Sequence, residues 1–323
     1  MLSIIIPVYN RADLFAEALI SLTNQVMKMF CVVVVDDAST EDIKSVCDKY
    51  SNKLTIIYLR QPINSGVGLA RQRGLDWVIS KNMDLLMFLD SDDILFPNAT
   101  QALKYEINHG LFDYVASDIV VERKNEPQEK IEANKSTTWT HGKIYRVSYI
   151  KKLELGFQAE LRTNEDLAFN LCVNWNTKNG SYINNELYFW RDAKNSITRT
   201  DGELKDAAVG IDYIRAVYYA ILFTLKNNSD FKTERAIPNL ISCYNYYQMS
   251  LIKKGEVPED IKAKLKELFS NPIINKTLSK KNIWIDNRDY IWSFFVNENK
   301  KVSFFQQTFG SWYYEFGGKA WLQ

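Results

Sequence analysis

The chain has 323 residues, 46% of them hydrophobic and 24% charged, which suits one large globular domain with an appendage. Forty Lys and Arg against 39 Asp and Glu leave a net charge of +1, without the basic excess of a nucleic-acid binder. Four scattered cysteines (Cys31, Cys47, Cys172, Cys243) without a CxxC pair, and only two histidines (His109, His141), argue against zinc and for buried free thiols in a reducing compartment.

The opening residues 1–7 lack a basic segment and break at Pro7, so no secretory signal is expected. Residues 3–9 read as a buried strand, because the apolar run is continuous rather than alternating. Leu14, Ala18, Leu19 and Leu22 then recur at helical spacing. A second apolar strand, 31–35, ends at Asp36-Asp37, and Ser39 or Thr40 is expected to cap a helix carrying Ile43, Val46 and Tyr50. A third strand (54–59), a helix (68–80) and a fourth strand (85–89) follow, the last ending in Asp90-Ser91-Asp92-Asp93. This alternation predicts a mostly parallel α/β sheet with helices on both faces, binding its ligand outside the carboxyl ends of the strands. Two of those ends carry clustered aspartates.

From 112 to 190 the pattern is mixed: a strand over 114–121, a polar exposed loop over 122–135, a helix over 165–174, and strands at 182–183 and 187–190. A catalytic domain over 1–203 is therefore expected, followed by a helical, aromatic-rich region over 204–323. The longest apolar run there, 216–223, falls short of the ~20 residues that span a bilayer, so a cytoplasmic protein is expected.

Asp90 and Asp92, two apart on an extended backbone, face the same way and suit Mg²⁺ or Mn²⁺ better than a capped turn. Asp36-Asp37 could accept hydrogen bonds from a uracil-type base or a ribose, or simply favour a helix N-terminus. Gly66-Val67-Gly68 lacks the third glycine of a dinucleotide loop, having Arg71 in its place. A turn opening a helix, with Arg71 one turn in, fits nucleotide phosphate or ribose, although Arg71 could equally be a surface residue. Glu165-Asp166 opens a helix and could supply a cap or a general base. The loop 191–199, with three cations, could close over a diphosphate or be merely solvated.

Taken together, the segments 3–11 (SIIIPVYNR), 32–39 (VVVVDDAS), 64–74 (NSGVGLARQRG), 88–93 (FLDSDD), 164–167 (NEDL) and 188–198 (YFWRDAKNSIT) resemble glycosyltransferase family 2, with its GT-A fold. They occur in family order across the first 200 residues. The resemblance implies an inverting, metal-dependent transfer of a hexose or N-acetylhexosamine from a nucleoside-diphosphate sugar, with UDP favoured, in surface-glycan assembly. The acceptor would be a glycan, a lipid-linked sugar or a polymer. It places the nucleotide sugar against Pro7, Tyr9, Asn10, Asp37, Asn64, Gly66, Arg71, Asp90, Ser91, Arg191 and Ser196, and Mn²⁺ or Mg²⁺ on Asp92 and Asp90. It makes Asp166 the general base and sets residues 141–146 on the acceptor side. The resemblance ends near residue 200. The helical remainder would serve acceptor binding, peripheral membrane contact at the inner face or homo-oligomerisation, and the aromatic segment 309–316 would pack on this chain or a partner. The alternatives are a sugar nucleotidyltransferase, which would carry a basic Gly-rich loop after the first strand, and a non-catalytic sugar-binding protein on the same scaffold.

Overall fold

The computed structural model describes residues 1–122, 127–132, 138–192, 203–254, 256–278 and 312. The chain divides into two compact units, Met1–Thr200 and Asp201–Gln323.

The first unit is built on one sheet of order β3-β2-β1-β4-β8-β6-β9-β5, with β7 paired to β6. Strands β1 (Leu2–Val8), β2 (Phe30–Asp36), β3 (Ile56–Arg60) and β4 (Leu85–Phe88) run parallel. Every residue of β1, β2 and β4 is buried, as expected of strands covered on both faces. Alternate residues serve opposite faces. Leu2, Ile4, Ile6, Val32, Val34 and Met87 pack with Phe15, Leu19 and Leu22 of α1 (Ala12–Thr23) and with α2 (Ile43–Tyr50) and α4 (Ala99–His109). On the other face α3 (Val67–Ser80) lies against β1 and β2. It approaches so closely that a Cβ on Gly74 would sit 2.5 Å from Ile5 Cγ2. Helix α2 is capped by Asp42, whose carboxylate accepts from Ser45 N–H at 3.0 Å, and not by Ser39 or Thr40. Ser39 instead takes the N–H of Asn10 at 2.8 Å.

The second half of the sheet adds antiparallel strands to this parallel half. Strand β8 (Lys143–Arg146) runs antiparallel between β4 and β6 (Tyr114–Val121), and β5 (Ile94–Leu95) runs antiparallel to β9 (Gly180–Trp190). The two short strands expected at 182–183 and 187–190 are one strand, β9, parallel to β6. It bulges where Ser117 pairs with Ile183 and Asp118 with Glu186. Within the stretch expected to be an exposed loop, Glu129–Ile131 forms β7, antiparallel to β6. Helices α5 (Val147–Leu153) and α6 (Glu165–Asn176) complete the unit. Phe169 of α6, Phe157, Tyr145 of β8 and Phe88 of β4 make one edge-to-face and stacked cluster, with ring centroids 4.6–6.1 Å apart.

The second unit is helical: α7 (Glu203–Asn227), α8 (Ile237–Lys254), α9 (Glu259–Ser270) and α10 (Pro272–Leu278). Its stretch Ala208–Asn227 is, by length and composition, apolar enough to cross a membrane, which the short run at 216–223 did not suggest; half of it is buried. Arg215 pairs with Asp212 at 2.9 Å and Asp260 at 3.0 Å, tying α7 to α9. Trp312 is buried against Tyr244, Tyr247 and Phe269, so this residue of the aromatic 309–316 segment packs on its own chain. All four cysteines are buried and unbridged, matching the expectation of free thiols.

The contact at Gly74 gives a direct test of how α3 seats on the sheet. Gly74→Ala should lower unfolding stability by about 1–3 kcal/mol, the usual cost of overpacking. An unchanged urea midpoint would show that α3 can lift off the sheet freely.

Candidate active site

The carboxyl ends of β1, β2 and β4 lie side by side, and the backbone there is held in unusual conformations. Asn10, Arg11 and Ala38, and Asn164 just before α6, all adopt left-handed φ values of 57–65° without being glycine. Such strain gathers where surrounding contacts over-determine a functional loop. The contacts are present: Asn10 Oδ1 accepts from the N–H and the hydroxyl of Thr40 at 2.9 and 3.1 Å. Asp36 is fully buried, accepting from Ser39 N–H at 2.8 Å, Tyr58 Oη at 2.6 Å and the Arg60 guanidinium. Burial would raise its proton affinity, but these donors overcome it and hold the carboxyl below its ordinary range.

Asp37 organises the next loop. Its Oδ1 accepts from Ser65 N–H at 2.8 Å and Gln61 Nε2 at 2.9 Å, and its Oδ2 from Gly66 N–H at 2.8 Å. Gly66 has φ +90°, a conformation a side chain would resist, and it opens α3. Three of roughly four acceptor positions on this carboxylate are thus spent on the loop. Tyr9 is exposed and Pro7 buried at the end of β1; Asn64 is exposed on the neighbouring loop, and Ser91 is buried. Ser196 lies outside the described residues.

Arg71 is buried between carboxylates and is not the surface residue it could have been. Its Nη2 donates to Asp90 Oδ1 at 2.6 Å and its Nη1 to Glu165 Oε1 at 2.5 Å. Burial would favour the neutral guanidine, yet Asp90, Glu165 and Asp166 together hold the cation firmly charged. Gly68, one turn earlier, makes this possible, since a Cβ there would sit 3.1 Å from Glu165 Cγ.

The aspartate cluster divides differently from the expectation as well. Asp92 Oδ2 is bound by Arg11 Nη1 at 2.5 Å, so this carboxylate is committed to an arginine rather than grouped with Asp90. The side chains that converge are Asp90, Asp93 and His141, whose ligand atoms all lie within 4.8 Å of one another. His141 Nε2 is 3.2 Å from Asp90 Oδ2 and 3.9 Å from Asp93 Oδ2. Tyr188 Oη donates to Asp93 Oδ2 at 2.6 Å, and the N–H of Arg191 donates to Asp93 Oδ1 at 2.9 Å. The imidazole stacks on the Tyr188 ring, with centroids 4.8 Å apart, and meets the edge of Trp190. Octahedral coordination at ~2.1 Å separates neighbouring ligand atoms by about 3 Å, so this oxygen-rich set fits Mg²⁺ or Mn²⁺. Burial together with the charge of Asp90 pushes Asp93 well above the usual carboxylate range, and Asp92 upwards. Burial acts on Asp90 in the same sense, but Arg71 and His141 outweigh it and hold that carboxyl low. Excess negative charge of this kind is what a divalent cation compensates.

Arg191 is likewise spent on the protein. Its guanidinium bonds Glu17 and the carbonyl of Asp92, with a longer contact of 3.3 Å to Leu14 O, so it clasps α1 to the aspartate loop rather than facing a diphosphate.

Across the cleft, α6 begins at Glu165-Asp166 with no side chain acting as its cap. Glu165 is taken by Arg71, and half-buried Asp166 receives, among the described residues, the adjacent N–H of Leu167 at 2.7 Å. Burial first, and then the charge of Glu165, push the Asp166 carboxyl up to about 7. Buried Lys143 is pushed down to about 7 by burial, opposed by Asp166, and its ammonium bonds the carbonyl of Trp139. His141 and Lys143 flank Gly142, whose φ of +64° and tight contact with Ser117 admit no side chain. The sequence offers Glu165, with Asp166, as a cap or a general base, and His141 and Lys143 only as members of the segment 141–146; it gives Arg11 no role. The available signal was a rare histidine and a lysine bracketing a glycine, in a segment otherwise read as acceptor-facing.

The fold, with carboxylates clustered at its strand ends, is of the GT-A type. The Glycosyl transferase family 2 signature matches residues 3–160, the stretch that carries β1 to β4 and the aspartate cluster. It is 27% identical over 220 residues to the putative glycosyltransferase EpsH of Bacillus subtilis (strain 168), covering 61% of this chain and 62% of that protein. It is 28% identical over 219 residues to the poly(ribitol-phosphate) β-N-acetylglucosaminyltransferase TarS of Staphylococcus aureus, covering 64% of this chain but 37% of TarS. The matched stretches therefore span less than two thirds of these relatives. Among solved structures, residues 1–349 of S. aureus TarS in complex with UDP-GlcNAc share the fold, with a TM-score of 0.55 at 18% identity over 90% of this chain and 89% of that one. The mannosyltransferase PcManGT of Pyrobaculum calidifontis, in complex with GDP-Man and Mn²⁺, gives 0.53 at 14% identity over 93% and 88%.

The assignment of ligands is checked by following the Mn²⁺ paramagnetic resonance signal on titration. His141→Ala should weaken binding at least about tenfold, while Asp92→Asn keeps it nearly intact. The reverse pattern would return the metal to Asp92.

Proposed function

We propose that the protein transfers a sugar from a UDP-sugar to an acceptor hydroxyl by a single displacement with inversion, and that Asp166 is the general base. The observation that carries this reading is the presence of two unlike carboxylate groups on either side of Arg71. Asp90 and Asp93 meet His141 on one side, and Asp166 stands on the other with its proton affinity near neutrality. A base is most useful when its pKa lies near the working pH, because it is then both available and strong enough.

In this scheme Asp166 accepts the proton of the acceptor hydroxyl as its oxygen bonds to the anomeric carbon and the bond to the diphosphate breaks. Mg²⁺ or Mn²⁺ held by Asp90, Asp93 and His141 would supply charge compensation for the diphosphate. The exposed ring of Tyr9 and the remaining acceptor position of Asp37 stand where base and ribose would lie. UDP is preferred over other nucleotides because a structural neighbour, TarS, is seen with UDP-GlcNAc and is named as an N-acetylglucosaminyltransferase. By the same likeness the acceptor would be a hydroxyl of a surface polymer.

Three measurements test the reading. Asp166→Asn should cut turnover roughly 10²–10⁴-fold at unchanged fold, and the product should show the inverted anomer by NMR; a retained anomer rules the scheme out. Because the base must be ionised and its affinity is raised, kcat/KM should fall as pH drops through about 7 and level off above it. A profile flat from pH 5 to 8 would remove Asp166 from the role.

A further inference from the structure

The side chain between the two carboxylate groups of the site is Arg71. It is 3% exposed, it lies on α3, and its two terminal nitrogens are divided between Asp90 at the end of β4 and Glu165 at the start of α6. These partners are distant in sequence, 19 and 94 residues away. Its Nε is buried without a partner, so the side chain sits where the two carboxylates need it rather than where its own donors are best satisfied. Gly68 on the same helix clears the space that lets Glu165 reach it. A planar guanidinium fixes two partners relative to one another in a way a flexible ammonium does not.

We propose that Arg71 is a positioning residue that sets the base side of the cleft against the metal side, by holding Glu165 and Asp90 in one rigid three-member array. This rests on the assignment of Asp166 as base and Asp90 as a metal-side carboxylate. Asp166 is covalently next to Glu165, so fixing Glu165 at the first turn of α6 fixes the direction from which Asp166 meets the acceptor. Helix α6 is entered through left-handed Asn164, immediately before Glu165. The charged and titratable groups around Asp166 are Glu165 on its own helix, Arg71 on α3, Asp90 at the end of β4, and Lys143 and Tyr145 on β8. Of these, Arg71 alone bonds both sides.

The test is a double-mutant cycle on Arg71→Lys and Glu165→Gln, read by calorimetric binding of UDP with Mn²⁺, by thermal melting, and by UDP release from UDP-GlcNAc with water as acceptor. Lysine keeps the charge but reaches one partner; glutamine keeps an acceptor but loses its charge. Each single variant should melt cooperatively, bind UDP within about threefold of wild type, and lose turnover by up to about 10²-fold, the scale of a misplacement near 1 Å. The double variant should be little worse than the poorer single one, because both break the same array. Glu165→Gln should also shift the acid limb of the kcat profile to lower pH, since removing a neighbouring negative charge makes Asp166 release its proton more readily. Loss of UDP affinity in Arg71→Lys at unchanged kcat would overturn the proposal and make Arg71 a donor ligand. Additive losses would overturn it as well. Asp166→Asn, assayed alongside, separates the two layers: wild-type turnover there defeats the base assignment itself, whatever the cycle shows.

Discussion

Five carboxylates, those of Asp90, Asp92, Asp93, Glu165 and Asp166, are crowded at the carboxyl ends of the sheet, and their mutual repulsion is the constraint the rest of the site answers. Unpaired, such groups could not stay charged in so buried a place. The chain answers them with partners drawn from different elements. Arg71 comes from α3 to Asp90 and Glu165, Arg11 from the end of β1 to Asp92, and His141 from the approach to β8 to Asp90 and Asp93. The compensation is uneven: Asp90 is held low, whereas Asp93 and Asp166 retain high proton affinity. That unevenness separates the roles two chemically identical groups can play, one as a standing anion and one as a proton acceptor.

The scaffold makes these placements affordable through close approaches that only glycine allows. Gly74 lets α3 settle onto Ile5 and Val35, which brings Arg71 to the end of β4. Gly68 admits Glu165, and Gly142 turns the chain so that His141 reaches the aspartates while Lys143 enters the sheet. The fully apolar strands serve the same end, since strands buried on both faces hold their terminal residues in a fixed register.

Much of the parallel half was legible because its signals are local. The uninterrupted apolar runs of β1, β2 and β4, and the helical spacing of Leu14, Ala18, Leu19 and Leu22, need no knowledge of the neighbours. The antiparallel strand β8 was not, because its four residues, Lys143 to Arg146, carry two cations and alternate in no clear way; long-range pairing with β4 and β6 makes it a strand. The same distinction governs the site. The aspartates could be found from their place after apolar strands, but the division of labour among them could not. Which carboxylate meets Arg11, Arg71 or His141 depends on contacts 81, 19 and 51 residues apart. For Arg71 and Arg191 the sequence shows a cation near a turn, and the fold adds the protein groups that each one meets.

The central claim is that a cation and a nucleoside diphosphate meet at Asp90, Asp93 and His141, opposite Asp166. Anomalous diffraction from a crystal of the protein with UDP and Mn²⁺ tests it most directly. The account predicts one manganese peak bonded to those three side chains and to the diphosphate, with Asp166 facing the open side. A peak on Asp92 with Arg11 displaced, or a nucleotide bound away from the carboxyl ends of β1 and β4, would contradict it.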